Sequence, residues 1–178
     1  MKIMLRRKFL FKICIVGDGG VGKSTMVKRL ITGKYIEQKI TIGADLSTYY
    51  TNVDNKDITM QLWDFAGERR FQFFLPNYSR GVRGCLICYD MSRRASFENL
   101  SRWYDIIDKK NNPIFVLVGC KSDLEDNKKV VGRKEAIEFQ NKNNIHVYYE
   151  TSSKTGYNVK ELFDKLAFEI FQQQNKKK

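Results

Sequence analysis

Short apolar runs alternate with longer amphipathic stretches along this chain. The runs predict six β-strands, over residues 9–16, 45–51, 57–64, 84–90, 113–119 and 145–150. Helical spacing of apolar residues predicts a helix over residues 23–31 and two later ones. The stripes of the later helices are Phe97, Leu100, Tyr104 and Ile107, and then Val159, Phe163, Leu166 and Ile170. This alternation is typical of an α/β fold, a six-stranded, mostly parallel sheet with helices on both faces.

The order of the elements predicts one domain. The turn residues 53–56 between the second and third runs predict an antiparallel hairpin, which makes the sheet mixed. The runs 84–90 and 113–119 are apolar at nearly every position, as strands covered on both faces are. The 178 residues contain no internal repeat and no Pro/Gly-rich linker. No run of about 18 apolar residues is present, so we expect no transmembrane helix.

The net charge of +12 is concentrated at the two ends of the chain. Residues 1–12 contain five basic residues and no acidic one, and three lysines end the chain, so only about a third of the net charge lies between. This charge either attracts the protein to anionic lipid or nucleic acid, or it keeps the protein soluble through solvated ends of the chain. We expect a basic extension over residues 1–8, a globular domain over 9–174 and a basic tail over 175–178.

The four cysteines, Cys14, Cys85, Cys88 and Cys120, lie in apolar runs of strand type. This placement differs from the disulfide framework of a small secreted protein. Cys85 and Cys88 have the spacing of a metal or redox motif, but residues three apart on a strand face opposite sides of the sheet. We therefore expect a reduced, intracellular protein.

Residues 17–24 read GDGGVGKS, which is a complete phosphate-binding loop motif. Its glycines allow successive backbone N–H groups to turn inward around an anion, and the following helix adds its positive end. Lys23 is positioned to reach the β- and γ-phosphates, and the Ser24 hydroxyl to bind Mg²⁺. The apolar run before the motif and the helix after it supply the context that the motif requires.

A second motif follows the third apolar run, which ends at Asp64 and continues as FAGERRF. An acidic residue at the end of a strand is suited to hold a Mg²⁺-bound water, and Gly67 to offer its backbone N–H to a γ-phosphate. With TIGAD at 41–45, these motifs make residues 9–174 resemble a small GTPase of the Ras superfamily, closest to its Rab branch. The resemblance implies a P-loop G domain that switches between GTP and GDP, hydrolyses GTP with Mg²⁺ and regulates membrane traffic or signalling.

The resemblance also implies the roles of individual residues. The set expected to bind nucleotide is Gly17, Asp18, Gly19, Gly20, Val21, Gly22, Lys23, Ser24, Thr25, Tyr35, Thr41, Gly67, Cys120, Lys121, Asp123, Ser152, Ser153 and Lys154. Ser24, Thr41 and, through water, Asp64 are expected at the metal, and Lys23, Gly67 and Glu68 in catalysis. The resemblance implies effector contacts on Leu46, Trp63 and Tyr78, and the apolar second switch, residues 65–79, adds Phe71, Phe73 and Phe74 as an expected effector patch.

Several positions depart from the family pattern. Glu68 replaces the glutamine that orients the attacking water, and a carboxylate cannot donate to a phosphate oxygen, so we expect slow hydrolysis. A GTP-locked interaction module with little turnover is the alternative. Arg69 and Arg70 either neutralise Glu68, reach the phosphates or face solvent. Cys120 replaces an asparagine and weakens hydrogen bonding to the base. The first switch, Tyr35 to Thr41, is one residue shorter than usual, and Phe65 replaces a threonine.

The expected partners are effectors, an exchange factor and an activating protein that supplies an arginine. We expect a monomer, although the apolar residues of the second switch suit an effector patch, a local core or a homodimer contact. No cysteine follows Cys120 and Lys2 follows Met1, so we expect neither prenylation nor N-myristoylation. The location is then cytoplasmic, with at most weak contact to anionic membranes. A nucleic-acid-binding protein is disfavoured, because it would need aromatic residues interleaved with the basic ones. A nucleoside kinase would share the phosphate loop, but the motifs at Thr41, Asp64–Gly67 and Lys121–Asp123 together speak against it.

Overall fold

A computed structural model describes residues 8–176, in which six strands form one sheet. The strands are β1 (Lys8–Val16), β2 (Ala44–Val53), β3 (Lys56–Phe65), β4 (Gly84–Asp90), β5 (Ile114–Cys120) and β6 (Val147–Thr151). Their order across the sheet is β2-β3-β1-β4-β5-β6. The pair β2 and β3 is antiparallel and the other neighbours are parallel, which confirms the predicted mixed sheet.

Six α-helices connect and cover the strands within the described range. They are α1 (Lys23–Thr32), α2 (Leu75–Tyr78), α3 (Arg94–Glu98), α4 (Leu100–Ile106), α5 (Arg133–Lys142) and α6 (Val159–Asn175). Short 3₁₀ segments cover Arg69–Phe74 and Asp126–Lys128. None of these helices is long and apolar enough to cross a membrane.

The β2–β3 hairpin turns at Asp54 and Asn55, which both have positive φ, at 48° and 58°. Two successive residues in this conformation form the tight turn whose twist matches that of antiparallel strands, and Asp and Asn tolerate it better than other residues with a Cβ. The strands pair from Val53 opposite Lys56 to Ala44 opposite Phe65. The hairpin is therefore longer at both ends than the sequence predicted.

Buried apolar side chains form one layer on each face of the sheet. One layer contains residues of α1 and α6, including Met26 and Phe163, and the other contains residues of α3, α4 and α5, including Trp103. Cys88 lies in the first layer and Cys85 in the second, so the predicted opposition of these two thiols is confirmed. All four cysteines are buried and free.

Some predicted boundaries are wrong by one or two residues. Lys8 begins β1 and Asn175 ends α6, although we assigned the first to the extension and the second to the tail. The stripe from Phe97 to Ile107 is divided at Asn99 between α3 and α4, and Ile107 is extended after α4 but remains buried. The rest of the predicted basic ends, residues 1–7 and 177–178, lies outside the described residues.

Candidate functional site

The phosphate loop, residues 17–24, connects β1 to α1 at the carboxyl edge of the sheet. A Cβ at Gly17 would overlap the backbone carbonyl of Cys88 on β4, so the loop can begin here only with glycine. Lys23 is 5% exposed, and its Nζ donates to the carbonyls of Gly17 at 2.8 Å and Asp18 at 3.0 Å. Burial lowers the pKa of Lys23, while Asp64 acts in the opposite direction. The ammonium group therefore lies inside the loop, against its own carbonyls.

Three predicted metal ligands meet at the start of α1. Ser24 Oγ donates to Asp64 Oδ2 and lies 2.7 Å from Thr41 Oγ1. Asp64 is 2% exposed, and its Oδ1 has no hydrogen-bond partner in the part of the chain that the structure describes. Burial raises the pKa of Asp64 to about 6, although Ser24 and Lys23 oppose the shift. Two hydroxyls and a buried carboxylate with an unpartnered oxygen are a donor set that fits Mg²⁺.

The second switch contacts the phosphate loop through Gly67. A Cβ on Gly67 would overlap Gly19 N, so only a glycine allows this approach. Glu68 forms an ion pair with Arg70, with Nε and Oε2 2.7 Å apart. Of the two arginines considered for neutralising Glu68, the structure pairs Arg70 with it. The side chain of Phe65, at the start of this segment, packs into the core and is 4% exposed.

Two neighbouring cavities lie along the loop. The phosphate-side cavity, of about 270 Å³, is lined by Gly19, Gly20, Lys23, Ser24, Thr41 and Glu68 among others. The base-side cavity, of about 290 Å³, is lined by Val21, Cys120, Asp123, Ser153 and Lys154 among others. Gly22, Thr25, Tyr35 and Lys121 line both cavities. Most of the sequence-predicted nucleotide residues therefore line these two cavities, whereas Gly17, Asp18 and Ser152 line neither of them.

The predicted base-reading residues come from the ends of β5 and β6. Ser152 Oγ donates to Asp123 Oδ1 at 2.6 Å, which ties the two loops together. Lys121 has a left-handed backbone, with φ 66°, and its Nζ is 2.5 Å from Asp90 Oδ2. Burial pushes the pKa of Asp90 upward, but hydrogen bonds from Lys121 and Ser92 outweigh it and hold the pKa below its ordinary value.

Cys120 is 4% exposed at the end of β5, under the phosphate loop. Its Cβ would be 3.8 Å from a Cβ built on Gly22. A thiol at this position is a weak donor and acceptor, whereas the amide that it replaces would be a strong one.

The predicted effector residues form a surface, here termed the switch surface, on the β2–β3 side of the sheet. Leu46 is 53% exposed and lies opposite Trp63 in the strand register. The rings of Trp63 and Tyr78 are 6.0 Å apart, centroid to centroid. Phe71 and Phe74 line a cavity of about 310 Å³ beside them, and Phe73 is exposed. Leu75 is buried and anchors this segment to the core.

Contacts on the outer side of the phosphate loop were missed by the sequence analysis. The Asp18 side chain points away from the cavities and accepts hydrogen bonds from Asn99 Nδ2 at 2.7 Å and Trp103 Nε1 at 2.8 Å. Arg93 Nη2 donates to the Gly19 carbonyl at 2.6 Å. The spacing of Trp103 from Leu100 indicates a buried helical face, but no local signal indicates a partner in the loop.

Comparison with known proteins finds a family and several relatives that this sequence resembles. The sequence model of the Ras family matches residues 12–172. The chain is 42% identical over 171 residues to Ras-related protein Rab-7a of Dictyostelium discoideum, which covers 91% of this chain and 83% of that protein. It is 40% identical over 171 residues to Ypt/Rab-type GTPase Rab7 of Neurospora crassa, covering 91% and 82%. Ras-related protein Rab-11C of D. discoideum is 38% identical over 174 residues, covering 96% and 77%.

Proposed function

Since this chain belongs to the Ras family of small GTPases, within its Rab branch, we propose that it is a Mg²⁺-dependent GTP/GDP switch that hydrolyses GTP and regulates membrane traffic or signalling. The observation that carries the proposal is the meeting of Ser24, Thr41 and Asp64 beside the buried Lys23 ammonium. These groups come from the phosphate loop, the first switch and β3, which are far apart in sequence. Their convergence is what binding of a metal–triphosphate complex requires.

Ser24 and Thr41 are proposed as direct metal ligands, and Asp64 as a ligand through water. Bound Mg²⁺ would neutralise charge that develops on the phosphate oxygens. Thr41 belongs to the exposed first switch, in which Ile40 and Ile42 are 79% and 76% exposed. A bond between Thr41 and the metal would order this segment only while the third phosphate is present, which is how a nucleotide state becomes a surface change.

Hydrolysis is proposed to proceed by in-line attack of water on the γ-phosphate. The Lys23 ammonium and the Gly67 N–H stabilise the phosphate oxygens, and the Glu68 carboxylate accepts a hydrogen bond from the attacking water. Glu68 cannot donate to a phosphate oxygen, and its negative charge faces an anion, so the reaction is slow. The Arg70 guanidinium offsets part of that charge. If the residual repulsion prevents turnover, the protein is the GTP-locked interaction module.

Guanine selection is proposed to depend on Asp123. One of its oxygens accepts the Ser152 hydroxyl, which orients the carboxylate toward the base-side cavity. The carboxylate accepts from the N–H groups of guanine, which adenine does not present in the same pattern. Lys121 and Tyr35 border the same cavity, while Cys120 contributes less than an amide would.

Protein effectors are proposed to bind the switch surface, and an exchange factor and an activating protein to regulate the nucleotide state of a monomer. We also propose weak contact between the basic ends and anionic membranes, worth about 1 kcal/mol for each basic residue near the lipid. Vesicles that contain phosphatidylserine are expected to co-sediment the protein at low salt and release it at high salt. Equal binding to uncharged vesicles would contradict this part of the proposal.

The decisive experiment identifies the nucleotide that the protein retains and then measures turnover. Protein purified with Mg²⁺ is denatured, and the released nucleotide is identified by chromatography; GDP or GTP is expected. Multiple-turnover phosphate release then separates a slow GTPase from a locked module. Asp64→Asn, which keeps the shape and removes the charge, is expected to abolish the Mg²⁺ dependence of retention. Recovery of adenine nucleotide, or of none, would overturn the proposal.

A further inference from the structure

A set of side chains holds the phosphate loop from its outer side, away from the phosphate-side and base-side cavities. The Arg93 guanidinium donates to the Gly19 carbonyl oxygen, with Nη2 and O 2.6 Å apart. Asn99 and Trp103 hold the preceding Asp18 carboxylate, and Arg102 Nη2 lies 3.8 Å from the same group. These residues follow β4 and continue into α4, so this part of the fold forms an outer support for the loop.

The backbone of Arg93 is itself fixed. Its N–H donates to the Asp90 carbonyl at 2.9 Å, and its own carbonyl accepts from Ser96 Oγ at 2.7 Å. Ser96 is completely buried, and Asp90 is tied to Lys121. Although the Arg93 side chain is exposed, it therefore extends from a rigid point, and its guanidinium reaches Gly19 without a mobile segment in between.

The bond to Gly19 determines the direction of the next amide group. In a trans peptide the C=O and the following N–H point in opposite directions. Gly20 lines the phosphate-side cavity, and the Gly19 carbonyl is held on the other side by Arg93. With the carbonyl held outward, the Gly20 N–H faces inward, where inward-facing amides bind anions. Glycines on both sides of this peptide leave it without Cβ groups that would restrict its rotation.

We propose that Arg93 is a positioning residue that holds the Gly19–Gly20 peptide with its N–H toward the nucleotide phosphates. This proposal rests on the function proposed above and assigns a role to a residue outside both cavities. It makes nucleotide retention dependent on the segment after β4, in addition to the loop and the switches. Gly67 approaches Gly19 N from the switch side, so Gly19 is held between the second switch and Arg93.

The expected effect of removing the guanidinium follows from the bond that is lost. A hydrogen bond from a charged donor is stronger than one between neutral groups, but exposure to water reduces what it contributes. We therefore expect Arg93→Ala to release GDP about tenfold faster than the unchanged protein. Arg93→Lys keeps a charged donor on a long side chain and is expected to recover most of the loss.

Arg94→Ala is the matched control. Arg94 is adjacent and equally basic, but it bonds to Glu135 and to the Val130 carbonyl, away from the phosphate loop. The three variants and the unchanged protein are loaded with a fluorescent GDP and Mg²⁺, and release is followed after addition of excess unlabelled GDP. The ¹H–¹⁵N signal of the Gly20 amide is compared in the GDP-bound proteins, because a merely structural role would not move that signal selectively.

The expected result is fast release and a displaced Gly20 signal for Arg93→Ala alone. Equal release rates for Arg93→Ala and Arg94→Ala would overturn the positioning role and leave GDP binding intact. Fast release with an unmoved Gly20 signal would also overturn it, because the effect would then not pass through the peptide. Failure of the unchanged protein to retain GDP would overturn the proposed function as well, so the two failures are distinguishable.

Discussion

Replacing Asp123 with asparagine is expected to change which purine the protein retains. The structure holds the Asp123 carboxylate at the base-side cavity through the 2.6 Å hydrogen bond from Ser152 Oγ. An ionised carboxylate only accepts hydrogen bonds, whereas the asparagine amide has one accepting oxygen and an NH₂ donor. Guanine offers the carboxylate two N–H donors, so the substitution loses one of these bonds and leaves a donor facing a donor.

The magnitude follows from the bonds involved. Each hydrogen bond to the charged carboxylate contributes about 1.5–3 kcal/mol, and the substitution loses one of the two. This loss lowers GDP affinity by a factor between about 10 and 10², and the two donors that then face each other lower it further. Xanthine has a carbonyl in place of the amino group of guanine and can accept from the new NH₂. The affinity for xanthosine diphosphate is therefore expected to rise while that for GDP falls.

Displacement of a fluorescent GDP or xanthosine diphosphate by each unlabelled nucleotide measures both affinities. Asp126→Asn is the matched control, because Asp126 is three residues away, has a 98% exposed side chain and pairs with Lys129 rather than with a cavity. The control is expected to keep the preference of the unchanged protein. The reasoning is refuted if Asp123→Asn also keeps that preference, since the carboxylate would then not read the base.

Three further predictions test other parts of the structure. Glu68→Gln restores a donor and removes a charge, so single-turnover GTP hydrolysis is expected to be about tenfold faster; an unchanged rate would contradict the role of Glu68. Trp103→Phe loses the hydrogen bond to Asp18 and leaves a buried void, so urea unfolding is expected to show a loss of about 3 kcal/mol. Trp63→Phe is its control, because the Trp63 Nε1 has no partner among the described residues, and an equal loss there would count against the Asp18 bond. Burial lowers the pKa of His146 from 6.5, and its neutral Nδ1 accepts a β5 amide, so stability is expected to fall as the pH drops below about 6.5. His146→Gln cannot take up this proton, and an equally steep fall in that variant would assign the acid sensitivity to other groups.

The sheet was predictable because its central strands are apolar on both faces. The phosphate loop was predictable because its chemistry is local, with one motif placing the glycines, Lys23 and Ser24 within eight residues. Asp64 and Asp123 were identified from short motifs at the ends of strands. The parallel order of the strands then explains why these distant motifs meet at one edge.

The contacts of Asp18 were not predictable, because they join residues 81 and 85 positions apart. The sequence shows a carboxylate in a phosphate loop, and proximity to the nucleotide is the simplest interpretation. Only the folded chain shows that the side chain turns outward to α4. The pairing of Glu68 with Arg70 was one of three alternatives for the arginines of this segment, since adjacent charges on a switch segment give no indication of their rotamers. The division of one predicted helix into α3 and α4 at Asn99 was not predictable either, because it leaves the helical spacing of the apolar residues almost unchanged.

The rate at which the four buried thiols are alkylated reports how often this protein opens. Only a thiolate reacts readily with alkylating reagents, and burial raises the pKa of Cys14 to about 12 and that of Cys85 and Cys88 well above the ordinary value. Modification of these three therefore requires the core to open on either face of the sheet. Cys120 borders the base-side cavity, so its modification also follows local loosening there. Mass spectrometry of alkylated peptides would therefore distinguish the departure of a ligand from unfolding of the whole domain, and it uses only the cysteines already in the sequence.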